Sequence, residues 1–152
     1  MADIINDIRS WLAEESTIIA QTTASRVLKY NIEMYNEKIF GVSGLKALII
    51  DVLPGPNSNA FSSQFCGILE VRNYASNSVS NGMKTANDGE DRSWDLFYVT
   101  DAILNRKSRE IKRLTNFYIL GIRRNGEPEI QYDDEQECPF CISMYEFDYL
   151  KI

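Results

Sequence analysis

The sequence predicts an α+β fold: one domain over residues 1–152, with a mixed or antiparallel sheet of about four to five strands packed against two helices. Three stretches carry that expectation. Residues 64–74 alternate with the two-residue repeat of a pleated strand. Phe65, Leu69 and Val71 point one way around Gly67, while Cys66, Ile68, Glu70, Arg72 and Tyr74 point the other. One side is apolar and the other sets an acid beside a base, the pattern of a strand between a core and a partly wet surface. Near the N-terminus, Ile4, Ile5, Ile8, Trp11 and Leu12 recur at helical spacing. Residues 140–150 alternate again. Cys141, Ser143, Tyr145, Phe147 and Tyr149 share one face, and Ile142, Met144, Glu146, Asp148 and Leu150 share the other.

Taken in order, Asp3 caps a first helix that runs to about Glu15. Its outward positions are Asn6, Asp7, Arg9 and Ser10. Residues 17–40 fit two templates. Leu28, Ile32, Tyr35 and Ile39 have helical spacing, with Gly41 as a stop, and Leu28, Tyr30, Ile32 and Met34 alternate as in a strand. Residues 45–53 are rich in Leu, Ile and Val and end at Pro54-Gly55-Pro56. The polar loop 57–63 returns the chain through 64–74 as an antiparallel neighbour. Residues 75–92 are crowded with Ser, Asn, Asp and Gly, too polar to bury much surface, and are expected as a mobile loop. Asp91 or Ser93 then caps a second helix through about Asn105. Trp94, Leu96, Phe97, Tyr98, Val99, Ala102 and Ile103 give it a broad apolar face, so burial on most sides is expected, against the sheet or under a neighbouring subunit. A basic stretch follows: Arg106, Lys107, Arg109, Lys112 and Arg113. Residues 117–123 read as a strand, Asn125-Gly126 as a hairpin turn and 129–132 as the return strand. An acidic turn, Asp133-Asp134-Glu135-Gln136-Glu137, leads into the last strand.

The sequence excludes several chemistries. It contains no histidine, which removes the Ser-His-Asp triad, the histidine general base and the histidine-ligated metal. A net charge of −6 opposes general affinity for nucleic acid, whose phosphates call for clustered Lys and Arg. No apolar run approaches the ~20 residues of a membrane span, and the N-terminus lacks the basic and apolar regions of a signal peptide. Cys138-Pro139-Phe140-Cys141 matches an active-site motif of glutaredoxins, but it runs into a strand and follows acids that raise a thiol's pKa. A zinc site drawing on Cys66 would need a carboxylate as its fourth ligand, an unusual set without histidine. The acidic turn lacks the spacing of a calcium loop, and Gly41-Val42-Ser43-Gly44 lacks the Lys-Ser/Thr of a phosphate loop. Neither a catalytic residue nor a cofactor emerges, and a non-enzymatic role is expected.

The order of these elements resembles the tail terminator proteins of long-tailed bacteriophages, also described as minor tail or head–tail joining proteins. The likeness runs through the helix ending Ile8-Arg9-Ser10-Trp11-Leu12-Ala13-Glu14-Glu15, the strand from Lys46 to Val52 and the return through Val71-Arg72. It continues through the helix over 94–104, the acidic Tyr132-Asp133-Asp134-Glu135, and the closing Ile142-Ser143-Met144-Tyr145-Glu146-Phe147-Asp148-Tyr149. The resemblance implies a structural virion protein that forms a hexameric ring, caps the tail tube, ends its polymerisation and joins it to the head connector or stopper. DNA would pass through the channel without specific binding. The protein would reside in the virion neck, and in the host cytoplasm during assembly. A closed ring needs two different complementary surfaces on each subunit. Arg109, Lys112 and Arg113 facing Asp133, Asp134 and Glu135 of a neighbour are the candidates, with Trp94 and Tyr98 supplying apolar area. Two rivals are another neck protein of the head-completion or stopper type, and a thiol oxidoreductase using Cys138 and Cys141.

Overall fold

A computed structural model describes residues 3–23, 26–30, 46–54, 64–80, 83–84, 87–105 and 111–152. Its sheet is assembled around two long central strands, β3 (Gln64–Ala75) and β9 (Cys138–Lys151). They pair antiparallel from Gln64↔Leu150 to Tyr74↔Phe140. On the far side of β3 lies β2 (Lys46–Pro54), antiparallel as its short return loop requires, and beyond it β1 (Val27–Lys29), parallel to β2. On the far side of β9 lie β7 (Phe117–Arg124), flanked by β6 (Lys112–Arg113), and β8 (Glu129–Asp133). The α+β expectation holds, and the sheet curls into a half-barrel. Among the described residues it has seven strands, more than the sequence predicts. The additions include β1, inside the stretch that fits two templates, and the two-residue β6, too short to leave a periodic signal.

Helix α1 (Ile4–Glu14) begins where expected, with the Asp3 carboxylate accepting from the Ile5 amide at 3.2 Å. Ile4, Ile8, Trp11 and Leu12 are buried beside Val27, Leu48, Ile50, Leu69 and Val71. Each such side chain contributes roughly 1.5–3 kcal/mol on full burial. Asp7 is not an outward residue. It is buried and accepts from the Asn116 amide at 2.6 Å and from Asn116 Nδ2 at 3.2 Å, which ties α1 to the approach to β7. A third helix, α2 (Ser16–Gln21), follows at once.

Helix α3 (Gly89–Leu104) starts earlier than Asp91 or Ser93. Ser93 is not a cap; its hydroxyl lies buried, donating to the Pro139 carbonyl at 3.3 Å. Gly89 lets the first turn approach β3, since a Cβ there would stand 2.6 Å from the Ala75 carbonyl oxygen. Within one subunit the sheet covers only part of this helix. Leu96, Phe97, Thr100 and Leu104 are buried, whereas Tyr98 is 63% exposed and Ala102 faces solvent. Both α1 and α3 cover the same face of the sheet, and a smaller cluster of Leu28, Ala47, Ile49, Tyr74, Cys138 and Phe140 lies on the other.

The segment expected as a mobile loop over 75–92 contains order. Ala75 completes β3, and β4 (Val79–Ser80) pairs with β5 (Met83–Lys84) in a two-stranded ladder. At its base Asp88 accepts from the Ser78 amide at 2.8 Å and from the Ser78 hydroxyl, and Arg92 also reaches Asp88. These donors hold the Asp88 carboxyl well below the usual carboxylate range.

The expected hairpin at Asn125-Gly126 is absent. β7 and β8 run in the same direction, both antiparallel to β9, from Phe117↔Lys151 through Arg124↔Tyr145 to Glu129↔Ile142 and Asp133↔Cys138. Asn125 and Gly126 belong to a local excursion between two collinear strands. The Asn125 amide stays on the Met144 carbonyl at 2.8 Å, and Gly126 takes up a φ of 83°. The reversal occurs instead at the acidic turn between Asp133 and Cys138.

Candidate functional site

The cysteine pair comes first, because it is the sharpest motif in the sequence. Cys138 and Cys141 both lie in β9, where neighbouring side chains alternate between faces. Cys138 packs with Leu28, Ala47, Ile49, Tyr74 and Phe140 on the face away from the helices. Cys141 points to the opposite face, under α3. Three residues along a strand separate the Cα atoms by about 10 Å, beyond the ~7 Å limit for a disulfide. Burial pushes each thiol up to about 12, helped by Asp133 at Cys138 and by Asp101 at Cys141. A pair that neither ionises readily nor meets is unsuited to dithiol exchange. Cys66 sits across from Asp148, near the other end of β3, and its thiol is also raised, chiefly by burial. Among the described residues no group of Cys, Asp and Glu could hold a metal ion.

Because both thiols are buried, serine is not a neutral replacement for them. The Cys138→Ser/Cys141→Ser variant is expected to keep its assembly behaviour and to lose about 1–3 kcal/mol of stability per site, from burying an unmatched hydroxyl. Urea denaturation beside a glutathione-coupled disulfide-reduction assay checks this. Wild-type reductase activity that vanishes in the double variant would restore the thiol chemistry.

The surfaces named for assembly fall at two ends of the sheet. At one end, the β8–β9 turn exposes Asp134, Glu135 and Glu137. Asp133 proves to be a structural residue. One carboxylate oxygen accepts from the Glu135 and Gln136 amides at 2.9 and 3.0 Å, and the other accepts from the Tyr74 hydroxyl at 2.8 Å. The carboxylate therefore builds the turn and pins it to the central strand.

At the other end, Lys112 and Arg113 form β6. Lys112 Nζ stands 5.5 Å from the Trp11 ring centroid, and the Arg113 guanidinium stands 5.8 Å from that of Tyr118. Ile111, just before them, is 64% exposed. Arg109, the third basic candidate, lies outside the described residues, as do Arg106 and Lys107. Through the ladder, Lys112 is matched to Tyr149 of β9 and Asp133 to Cys138. Eleven residues of strand separate those positions, about 37 Å, so the basic and acidic ends do not meet within one subunit.

Between the two ends lies an aromatic flank. Trp94 and Tyr98 stack with ring centroids 6.0 Å apart, and Phe97 meets the Trp94 ring edge-on at 5.6 Å. Trp94 is half-buried, and acidic Glu90, Asp91 and Asp95 are exposed on the same helix. The strand below contributes Tyr132, 57% exposed. It lies on the helix side of the sheet, across from Pro139, which Gly89 and Ser93 of α3 approach.

Sequence reasoning passed over several groups that shape this region. Asp101 accepts from the Tyr145 hydroxyl at 2.8 Å and from Arg124 Nη1 at 2.9 Å. The Arg124 guanidinium also stands 5.7 Å from the Phe97 centroid. On the face away from the helices, Arg72 pairs with Glu70 at 2.7 Å and stands 4.3 Å from the Tyr30 ring and 5.3 Å from that of Phe140. Adjacency of Glu70 and Arg72 on one strand face was the legible part of that arrangement; their aromatic neighbours, Tyr30 just after β1 and Phe140 of β9, come from distant parts of the sequence. Among the described residues no helix is long and apolar enough to cross a membrane. No family model matches this chain, and no curated protein matches it.

Proposed function

We propose that the protein is a structural component of the head–tail junction of a long-tailed bacteriophage. In this reading it forms a hexameric ring that caps the tail tube, stops its polymerisation and offers a face to the head connector. The observation that carries the reading is the separation of charge along the sheet. Basic β6 and the acidic β8–β9 turn stand about 37 Å apart by strand length, too far to neutralise each other within a subunit, yet complementary between copies. That supplies the two unlike surfaces a closed ring requires. A sheet backed by helices on one face gives such a subunit rigidity, and a net charge of −6 suits a channel through which DNA passes without sticking.

Tail tube protein polymerised with and without this chain, viewed by negative stain, tests the reading. Tubes of limited length with ring density at one end are expected, and tubes unchanged in length without end density overturn it. Charge reversal adds a second measure. Lys112→Glu/Arg113→Glu is expected to weaken ring assembly by light scattering, and adding Asp134→Lys/Glu135→Lys to restore part of it. Asp133 is left intact because it holds the turn. Each partly solvated pair is worth about 0–1 kcal/mol and is screened by salt, so the effect is modest and largest at low ionic strength. A combined variant that assembles no better than its parents shows that these ends do not meet.

A further inference from the structure

β8 has β9 on one side and, among the described residues, no strand on the other; β6 likewise pairs only with β7. An unpaired strand edge presents free N–H and C=O groups that another strand can complete. Here the two edges also match in charge and in facing. Arg113 shares a sheet face with Glu129, Gln131 and Asp133: its ladder partner Tyr118 is paired with Leu150 of β9, an even number of residues from Phe140, the partner of Gln131. By the same count, Lys112 shares the helix face with Ile130 and Tyr132.

We propose that β6 of one copy adds as a strand to the free edge of β8 in a second copy. This rests on the self-assembly part of the reading above and names its contact. In the joined sheet Arg113 falls among Glu129 and Asp133, and Lys112 comes against the face of Tyr132, a cation over an aromatic ring. Ile111 and Tyr132, two of the most exposed large side chains, are covered together. Residues 113 and 131 are matched to β9 positions ten residues apart, about 34 Å, so the pairing forms only between copies. Both edges lie on the same side of β9. With faces shared, the joined copies are turned by about 180° about the sheet normal, so the contact closes reciprocally about a two-fold axis.

Cysteine cross-linking decides this. In a Cys66→Ser background, Arg113→Cys with Gln131→Cys is treated with a short bis-maleimide at the highest soluble concentration. Ile111→Cys with Gln131→Cys, which keeps both basic side chains, is treated alongside it, and a thermal melt verifies that each variant is folded. Covalent multimers from a double variant, with each single variant remaining monomeric, are expected. Monomer bands alone from both double variants overturn the edge contact. The size of the ladder separates this inference from the functional reading. A ladder that stops at two, with uncapped tail tubes, sinks the ring and keeps the edge contact. Capped tubes with monomer bands alone keep the terminator and sink the edge contact.

Discussion

Phe147→Ala is expected to lower the unfolding free energy by about 3–5 kcal/mol, read from the urea midpoint. Phe147 is 2% exposed in the middle of β9. Its ring lies against Gly67 so closely that a Cβ on that glycine would stand 2.7 Å from it, and it stacks on Tyr149 at 5.3 Å. Gly67 and Ile122 are its ladder neighbours on either side, so the backbone around the deleted ring is held by hydrogen bonds and cannot collapse into the space. The glycine offers a check on this account. Gly67→Ala alone collides with the ring, whereas in the Phe147→Ala background the added methyl meets empty space. Its effect should shrink or change sign there, a coupling that a double-mutant cycle measures directly. Additive losses would show that the ring and the glycine are energetically independent.

Asp101→Ala is expected to cost about 2–4 kcal/mol, because it strips two partners at once. The Tyr145 hydroxyl belongs to a fully buried residue and would be left without its acceptor, and Arg124 would lose its carboxylate. Arg124 retains some solvent access, with 26% side-chain exposure, which keeps its share of the loss below that of a fully buried charge. Asp101→Asn, which keeps one acceptor oxygen, should fall between wild type and alanine. Combined with Tyr145→Phe, Asp101→Ala should cost less than the sum of the two changes, since the hydroxyl it orphans is gone. Thermal unfolding of the wild type and the four variants provides the comparison, and strict additivity would exclude the shared hydrogen bond as the source.

The long, periodic elements were legible in the sequence because burial imposed its rhythm on them. Ile4, Ile8, Trp11 and Leu12 mark α1, and the alternations through 64–74 and 140–150 mark β3 and β9, down to the faces on which Leu69, Val71, Tyr145 and Phe147 lie. Turn chemistry was less decisive. Asn125-Gly126 has the composition of a hairpin turn, yet both flanking strands already have a partner in β9, and pairing with it kept the chain running straight. The polar 75–92 segment holds a small ladder, with only two residues, 81 and 82, between the paired Ser80 and Met83. Asn81-Gly82 was a signal available there. Asp7 and Asp133 looked like surface acids because their partners, Asn116 and Tyr74, come from distant parts of the chain. The Cys-Pro-Phe-Cys motif misleads in a different way. Spacing fixes a pair of thiols only once the secondary structure is known, and a strand sends Cys138 and Cys141 to opposite faces. For assembly, the sequence marked the basic and acidic segments but not Tyr132 or the edge of β8, which among the described residues has no second partner, since the pairing of a strand edge depends on which strands lie elsewhere.

The position of β9 has a consequence for how the chain is made. It lies between β3 and the β7–β8 line, so it is the strand that joins the two halves of the sheet, and it follows all of them in chain order. Until residues 138–151 emerge, β3 on one side and β7 with β8 on the other lack their shared neighbour and present bare edges. Folding of this sheet therefore waits for β9 to emerge and depends on contacts between residues far apart in sequence, which close slowly. During that interval the nascent chain is at its most prone to pair with other copies in the wrong register. Chains halted before residue 138 should accumulate as aggregates, because the strand that would have shielded both edges never arrives.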